Sequence, residues 1–481
     1  MKLRKSVILI LLLFFFARNA ECQPGKTKSS YNIVIILADD LGYNDLGCYG
    51  GEKITPNIDR LAESGMKFTE FYASPICSPT RAALLTGCYP QRVGIPSVLS
   101  SASLTGINPD ELLLPEILKD RAYQTALFGK WHLGGSAVFH PQRNGFDEFF
   151  GTPASNDTGF DMDIDSRRYG QPGLVLMDGT DTVAINPPQW KLVRQYTERS
   201  VDFINRNSSK PFFLYLAYNM PHTPIFVSND FTGKSKIDLY HDVLTEIDWS
   251  VGKILHTLEE RKIRDKTLVV FISDNGPWLI FGNHGGSAYP FSGGKKQTLE
   301  GGVRVPAIFS LPGIIPGNSK SNELTTIMDV YPTVADLTNL KMTMQKIDGR
   351  SILPLISREK DAKSPHEAYY YYYENALQAV RAGNYKLQLP HPDTQTPDPA
   401  RIGYDGFRGN IYTVKRPLAL YNLRDDPAEQ TDISSLEPGI VQQLLKIAED
   451  ARNDLGDSLE GISGKGVRKP GNVIAASVTS R

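Results

Sequence analysis

The sequence predicts an α/β fold: a large, mostly parallel or mixed sheet covered by helices on both faces, followed by a smaller C-terminal α+β subdomain with an antiparallel sheet. Three observations predict it. Up to about residue 360, apolar runs rich in β-branched and aromatic residues alternate with segments of helical periodicity. The runs are continuous rather than alternating, as in strands buried on both faces. After the linker-like Asp361-Ala362-Lys363-Ser364-Pro365, short strand candidates and one helix take over.

In chain order, Lys2, Arg4 and Lys5 precede the apolar run 7–16, and Ala20, Glu21 and Cys22 follow it. This is the pattern of a secretory signal, with the cut before Gln23 and residues 1–22 excluded from the fold. Ten apolar residues are too few to span a bilayer. The alternative, Cys22 as the acylated first residue of a bacterial lipoprotein, is fitted poorly by Glu21. Residues 32–38 (NIVIILA) read as a buried parallel strand, 56–64 as a helix opened by Pro56 and stopped by Gly65, and 112–121 as a helix before the strand 123–128. Residues 190–207 are a helix, 211–218 a strand, 239–261 a long helix and 268–272 a strand. Together 30–360 form the main domain and 365–455 the subdomain, with strands at 368–373, 378–381, 385–389 and 418–423 and a helix at 438–453. The five tyrosines at 369–373 read either as strand alternation or as a sugar-stacking platform. Residues 390–412 read as a surface loop and 461–481 as a frayed tail.

Composition bounds the function. Apolar residues are 41% and charged residues 22%, enough for a full core. Lys plus Arg is 52 against 53 for Asp plus Glu, so no nucleic-acid footprint is expected. No run beyond the N-terminus is long enough for a transmembrane segment. Four cysteines rule out a disulfide scaffold. Without the signal, Cys48, Cys77 and Cys88 remain, an odd number; Cys48 and Cys88 either pair or stay free.

Ligands of open α/β sheets sit beyond the carboxyl ends of the strands. Asp39-Asp40 follows the first strand and Asp274-Asn275 a later one. Three carboxylates and an amide oxygen suit a hard cation, calcium above all, and not zinc. Taken singly, each acidic pair is also explained as a helix cap or solvated turn. In 75–87 (PICSPTRAALLTG), Pro79 starts a helix whose N-terminus would hold Cys77, with Arg81 one turn on. That site favours an anion. It reads as a nucleophile beside an oxyanion clamp, against the plainer reading of a buried structural cysteine.

Cys77-x-Pro79-x-Arg81 followed by Thr86-Gly87 resembles the signature of the formylglycine-dependent (type I) sulfatases, arylsulfatase-like enzymes with the alkaline phosphatase superfamily fold. Further blocks agree: Gly129-Lys130-Trp131-His132, Met220-Pro221-His222, Ser273-Asp274-Asn275-Gly276, Gly293-Gly294-Lys295, Glu300-Gly301-Gly302, and Tyr385-Lys386-Leu387 with Leu420-Tyr421-Asn422-Leu423 in the subdomain. Ala122 departs from the glycine often found there. The resemblance implies that Cys77 is oxidised to formylglycine (3-oxoalanine) by a formylglycine-generating or anaerobic sulfatase-maturating enzyme. It implies that one Ca²⁺ is held by Asp39, Asp40, Asp274 and Asn275, with residue 77 beside it. Arg81 would orient the aldehyde hydrate, Lys130 and Lys295 clamp the sulfate, and His132 and His222 share acid/base work. Ser155 matches a sulfate-contacting serine less securely, His284 is a candidate sugar contact on a glycine-rich loop, and Lys296 reads as solvated or as a cation beside the site.

The chemistry accounts for such a set. A sulfate monoester repels nucleophiles, so cations must neutralise it. A sugar alkoxide leaves poorly, so an acid, His222 with Lys295, must protonate it. A geminal diol can expel sulfate with its second hydroxyl, His132 taking the proton; serine or cysteine cannot. The expected activity is that of an exported sulfuric ester hydrolase, periplasmic or secreted, acting on a sulfated polysaccharide or its oligosaccharides: glycosaminoglycan, mucin, ulvan or carrageenan. Two other readings compete. A two-metal phosphodiesterase typically has His where Asn275 stands. A non-catalytic glycan-binding relative would have lost motif residues, and none of the core set is missing.

Overall fold

The computed structural model describes residues 31–158, 173–340, 342 and 345–473. The signal segment and Cys22 lie outside them. A ten-stranded mixed sheet forms the centre, running from one edge to the other Ser319–Ser321, Met66–Phe68, Ala307–Ser310, Thr267–Ser273, Asn32–Ala38, Phe212–Ala217, Gln124–Lys130, Glu148–Thr152, Val175–Asp178 and Asp181–Ile185. The middle five, from Thr267–Ser273 to Glu148–Thr152, are mutually parallel, and the flanking strands Ala307–Ser310 and Val175–Asp178 run antiparallel to them.

Asn32–Ala38 is central because its pleat is apolar on both sides. Ile33, Ile35 and Leu37 join one core, and Val34, Ile36 and Ala38 the other. At about 2 kcal/mol per buried aliphatic side chain, such a strand contributes on the order of 10 kcal/mol before entropy is counted. Pro56–Glu63, Leu192–Asn207 and Leu239–Glu260 cover the second face. Cys77–Thr86, Leu114–Lys119, Val330–Leu337 and Pro438–Leu455 cover the first. The small antiparallel sheet, ordered Tyr369–Tyr373, Ala376–Ala382, Tyr385–Gln388, Ala419–Asn422, buries Tyr371, Leu377, Val380, Leu387 and Leu420 in that same first core.

Two expectations are corrected and two open alternatives are decided. Within 390–412 lies no simple loop: His391–Pro397 pairs antiparallel with Ile411–Arg416. Its inward positions carry His391 and Asp393 rather than apolar groups, with Asp393 bonded to Arg416 and Gln297, so hydrophobic periodicity was absent. The tail is anchored as far as it is described: Gly471–Asn472 pairs with Thr105–Gly106, and Arg468 binds Glu111 at 2.6 Å. The tyrosine run is no sugar platform, because Tyr369, Tyr371 and Tyr372 are buried, packed on Tyr72 and Tyr89. Cys48, Cys77 and Cys88 are all free, and Cys48 and Cys88 pack against opposite faces of the sheet, which forbids a bond between them.

Candidate active site

The carboxyl ends of the five parallel strands converge on one buried cluster. Asp39 and Asp40 follow Asn32–Ala38, Asp274 and Asn275 follow Thr267–Ser273, and Lys130 ends Gln124–Lys130, with His132 two residues on. Ser155 comes just after Glu148–Thr152, and His222 in the segment after Phe212–Ala217. The local sequence dictates this placement. At Gly129 the backbone has φ 120°, and a Cβ there would stand 1.7 Å from the Ala217 carbonyl oxygen, so only glycine lets the strand deliver Lys130. The helix Cys77–Thr86 ends at Gly87, whose φ of 69° supplies the left-handed stop. Its first residue is Cys77, and no side chain caps its N-terminus. The free amide N–H groups there favour an anion.

Three cations face three carboxylates. The Arg81 guanidinium donates to Asp274 Oδ2 at 2.8 and 3.2 Å and to the Lys130 carbonyl at 2.9 Å. Lys130 Nζ donates to Asp39 Oδ2 at 2.6 Å and to Ser155 Oγ at 3.2 Å. Lys295 Nζ donates to both Asp40 oxygens at 2.7 and 2.9 Å. The Asn275 amide donates to Asp40 Oδ1 at 2.7 Å. Arg81, Lys130, Asp39 and Asp274 are all 0% exposed, so these pairs act without solvent screening. Burial pushes the Asp274 carboxyl upward, helped by the Asp39 charge, whereas Lys130 and His222 hold Asp39 low against its own burial.

Carboxylates crowded this closely invite a cation. Asp39 Oδ1 and Asn275 Oδ1 are buried with no hydrogen-bond partner among the described residues. Cys77 Sγ and carboxylate oxygens of Asp39 and Asp274 lie within 4.8 Å of one another. The donor set therefore fits a metal ion, and its oxygens fit a hard one. Two residues here have left-handed backbones, Asp40 with φ 64° and His132 with φ 59°.

The two histidines are held differently. His222 Nδ1 faces the Thr223 carbonyl, so it carries the proton there, and Nε2 points toward Asp40 Oδ2 at 3.7 Å. Asn156 fixes this segment by donating to the carbonyls of His222 and Pro224. His132 Nδ1 has no partner among the described residues. Burial, then the Lys130 charge, pushes His132 well below the usual histidine range. Burial and Lys295 lower His222 as well. Lys295 moves the other way: burial opposes its charge, but Asp40 overrides burial and raises it.

Every expected cluster residue except His284 is brought together. No hydrogen bond or ion pair among the described residues joins His284 to the cluster; its charged neighbours are Asp405 and Asp238. Two residues escaped the sequence reading. The Trp278 ring packs on His222 at 5.4 Å and under Lys295 at 4.5 Å. Asp157 is held low, against its burial, by His222 and Lys130 and by a hydrogen bond from Ser155. Trp278 stands three residues past Asn275, where a large aromatic beyond a strand end was the available signal; Asp157 offered none.

Known proteins resemble this chain in sequence and in fold. A sulfatase family model matches residues 31–340, a model of the C-terminal region of aryl-sulfatase matches 364–463, and one described as N-sulphoglucosamine sulphohydrolase, C-terminal, matches 293–389. The chain is 39% identical to N-acetylgalactosamine-6-sulfatase of Canis lupus familiaris over 86% of its own length and 84% of that protein's. It is 33% identical to steryl-sulfatase of Homo sapiens, covering 94% of this chain and 91% of the relative. Among solved structures, the PsFucS1 sulfatase from Pseudoalteromonas sp. superposes with a TM-score of 0.78 at 27% identity, covering 88% of this chain and 89% of that one.

Proposed function

The chain belongs to the sulfatase family and is a sulfuric ester hydrolase, and from that premise we propose that it desulfates a sulfated glycan after export, with Cys77 converted to formylglycine and one Ca²⁺ at Asp39, Asp40, Asp274 and Asn275. The observation that carries this reading is the buried cluster itself: a cysteine at a free helix N-terminus, three cations against three carboxylates, and two buried oxygens left without donors. The glycan is supported by the relative whose name specifies N-acetylgalactosamine-6-sulfate chemistry. Export is supported by the basic start and short apolar run of residues 1–22. No helix among the described residues is long and apolar enough to cross a membrane.

The ionic arithmetic supports a division of labour. Arg81, Lys130 and Lys295 formally cancel Asp39, Asp40 and Asp274, so a dication held there would supply net positive charge for binding and polarising an anionic ester. Converted to formylglycine by a maturing enzyme, residue 77 supplies a hydrated aldehyde as nucleophile. The Lys130 ammonium, anchored to Asp39 and to Ser155 Oγ, has a third N–H with which to hold a sulfate oxygen. Lys295 keeps its proton on Asp40 and presents a fixed positive charge over Trp278. Burial and Lys295 disfavour the charged form of His222; the entering anion favours it, and Nε2 then passes the proton to the leaving alcohol. His132, neutral and open at Nδ1, is set as the base that takes a proton from the nucleophile's side.

The test is desulfation of defined sulfated oligosaccharides with products mapped by NMR, combined with peptide mass spectrometry of the active protein. Loss of sulfate from a glycan and formylglycine at position 77 are expected. Full activity with an unmodified thiol, or cleavage of aryl sulfates alone, overturns the reading.

A further inference from the structure

The adjacent lysines 295 and 296 part company. Lys295 turns inward onto Asp40. Lys296 has a left-handed backbone, φ 70°, and its N–H donates to the Pro75 carbonyl at 2.8 Å, beside the segment that delivers Cys77. Its ammonium lies 5.0 Å from the centre of the same Trp278 ring that carries Lys295 at 4.5 Å and meets His222 at 5.4 Å. Among the described residues, no hydrogen bond or ion pair holds this half-buried ammonium. Burial and the Lys295 charge pull it below the usual lysine range; Arg408 adds to that, while Cys77 and Asp157 oppose it. A charge this sheltered is costly unless something anionic reaches it.

Arg408 is brought there by a docked loop. The N–H groups of Gly403 and Gly409 both donate to the Ile280 carbonyl, at 3.0 and 2.7 Å. Asn283 and Asp405 exchange two further hydrogen bonds. This fastens the loop inside the 391–416 hairpin over the turn Leu279–His284 that follows Trp278. Lys296 thus adds a positive charge beside the cluster, separate from the three cations engaged with its carboxylates.

We propose that Lys296 is a specificity-determining residue that binds a second anionic group of the substrate, a carboxylate or a further sulfate on the same or the adjoining sugar. This deepens the sulfated-glycan reading and rests on it. A scaffold with a single sulfate leaves the Lys296 ammonium uncompensated; a sugar carrying a second negative charge fills it.

Wild type, Lys296→Met and Lys296→Arg are compared on four substrates: an aryl sulfate, a monosulfated neutral disaccharide, the same disaccharide with a uronate carboxylate, and the same disaccharide with a second sulfate. Loss of one charge-assisted contact should raise KM of Lys296→Met by about 10- to 100-fold on at least one doubly charged sugar, with kcat nearly kept. The loss on the two singly charged substrates should be smaller by that factor, and Lys296→Arg should recover most of it. The doubly charged sugar that suffers identifies the partner as carboxylate or sulfate. An equal loss on all four substrates, a fall in kcat, or no loss on any overturns the proposal. If wild type cleaves the aryl sulfate and none of the sugars, the glycan reading falls and takes this inference with it; if the sugars are cleaved and Lys296→Met behaves as wild type, only the role of Lys296 falls.

Discussion

Glu300 offers the most quantitative check on how the subdomain is fastened to the catalytic sheet. It opens the short helix Glu300–Val303 and is 0% exposed. Its carboxylate accepts from Tyr72 Oη at 2.6 Å and Tyr371 Oη at 2.9 Å and meets Lys386 at 3.2 Å and Arg304 at 3.4 Å. Tyr371 and Lys386 belong to the small sheet, so one buried charge ties that sheet to the segment leading into Ala307–Ser310 of the central one. Burial alone would raise this carboxyl, but Lys386, then Arg304 and Arg381, bring it from the ordinary 4.5 down to about 2. At 1.36 kcal/mol per pH unit that difference corresponds to about 3 kcal/mol of stability. Because the folded value is the depressed one, the contribution is complete above pH 4.5 and is lost as pH falls toward 2.

Glu300→Gln keeps the shape and removes the charge. Denaturant unfolding at pH 7 should therefore show a loss of about 3 kcal/mol, and the gap to wild type should narrow as pH is lowered below 4.5. Glu429 moderates this. It also meets Lys386, at 2.6 Å, and its burial keeps its carboxyl raised. With Glu300 neutral, Glu429 ionises more readily and takes over part of the lysine, so Glu300→Gln/Glu429→Gln should lose more than the sum of the single variants. A loss under about 1 kcal/mol at pH 7, or a gap that does not change with pH, would refute the ionic joint.

Three other outcomes are expected. Metal analysis should find one Ca²⁺ per chain and no zinc, and chelation should lower both activity and Tm, because Asp39 Oδ1 and Asn275 Oδ1 are left without donors. His222→Ala should cost about 10²–10⁴ in kcat/KM on sugar sulfates and markedly less on an activated aryl sulfate, whose leaving group needs little protonation; equal penalties would reassign the acid. Ala122→Gly should stabilise the protein by about 0.5–1 kcal/mol in thermal or denaturant unfolding, because Ala122 sits at φ 57° where a Cβ is strained.

The legible parts of this chain were those in which one residue type has one physical explanation. Asn32–Ala38 and Thr267–Ser273 are buried on both faces, so their sequences are unbroken apolar runs and the acids after them had to be strand-end groups. Strands such as Met66–Phe68 and Ala307–Ser310 are too short to show a period and are defined by their partners in the sheet. The hairpin around Asp393 satisfies its buried face with hydrogen bonds, which leaves no hydrophobic trace. Glu300 was read as a motif marker, and only its contacts with Tyr371 and Lys386 reveal a joint between sheets. Trp278 and Asp157 reach the site singly, with no repeat or spacing to announce them.

The protein groups around Cys77 do not favour a thiolate there. A helix N-terminus with lysines nearby is the setting that normally lowers a thiol's pKa. Here the pKa is raised: burial dominates, and the charges of Asp39 and Asp274 offset the help of Lys130 and Lys295. A thiolate would have to form within 4.8 Å of two carboxylates. The cations that could stabilise it are spent on those same carboxylates, Lys130 on Asp39 and Lys295 on Asp40. A neutral oxygen nucleophile escapes this conflict, since it need not carry charge before the sulfate arrives. Nearby, His132 stays uncharged and open at Nδ1, able to take a proton without first giving one up. The protein groups that disfavour the thiolate, Asp39 and Asp274 above all, come from beyond the Cys77–Thr86 helix, so the sequence around Cys77 alone does not reveal them.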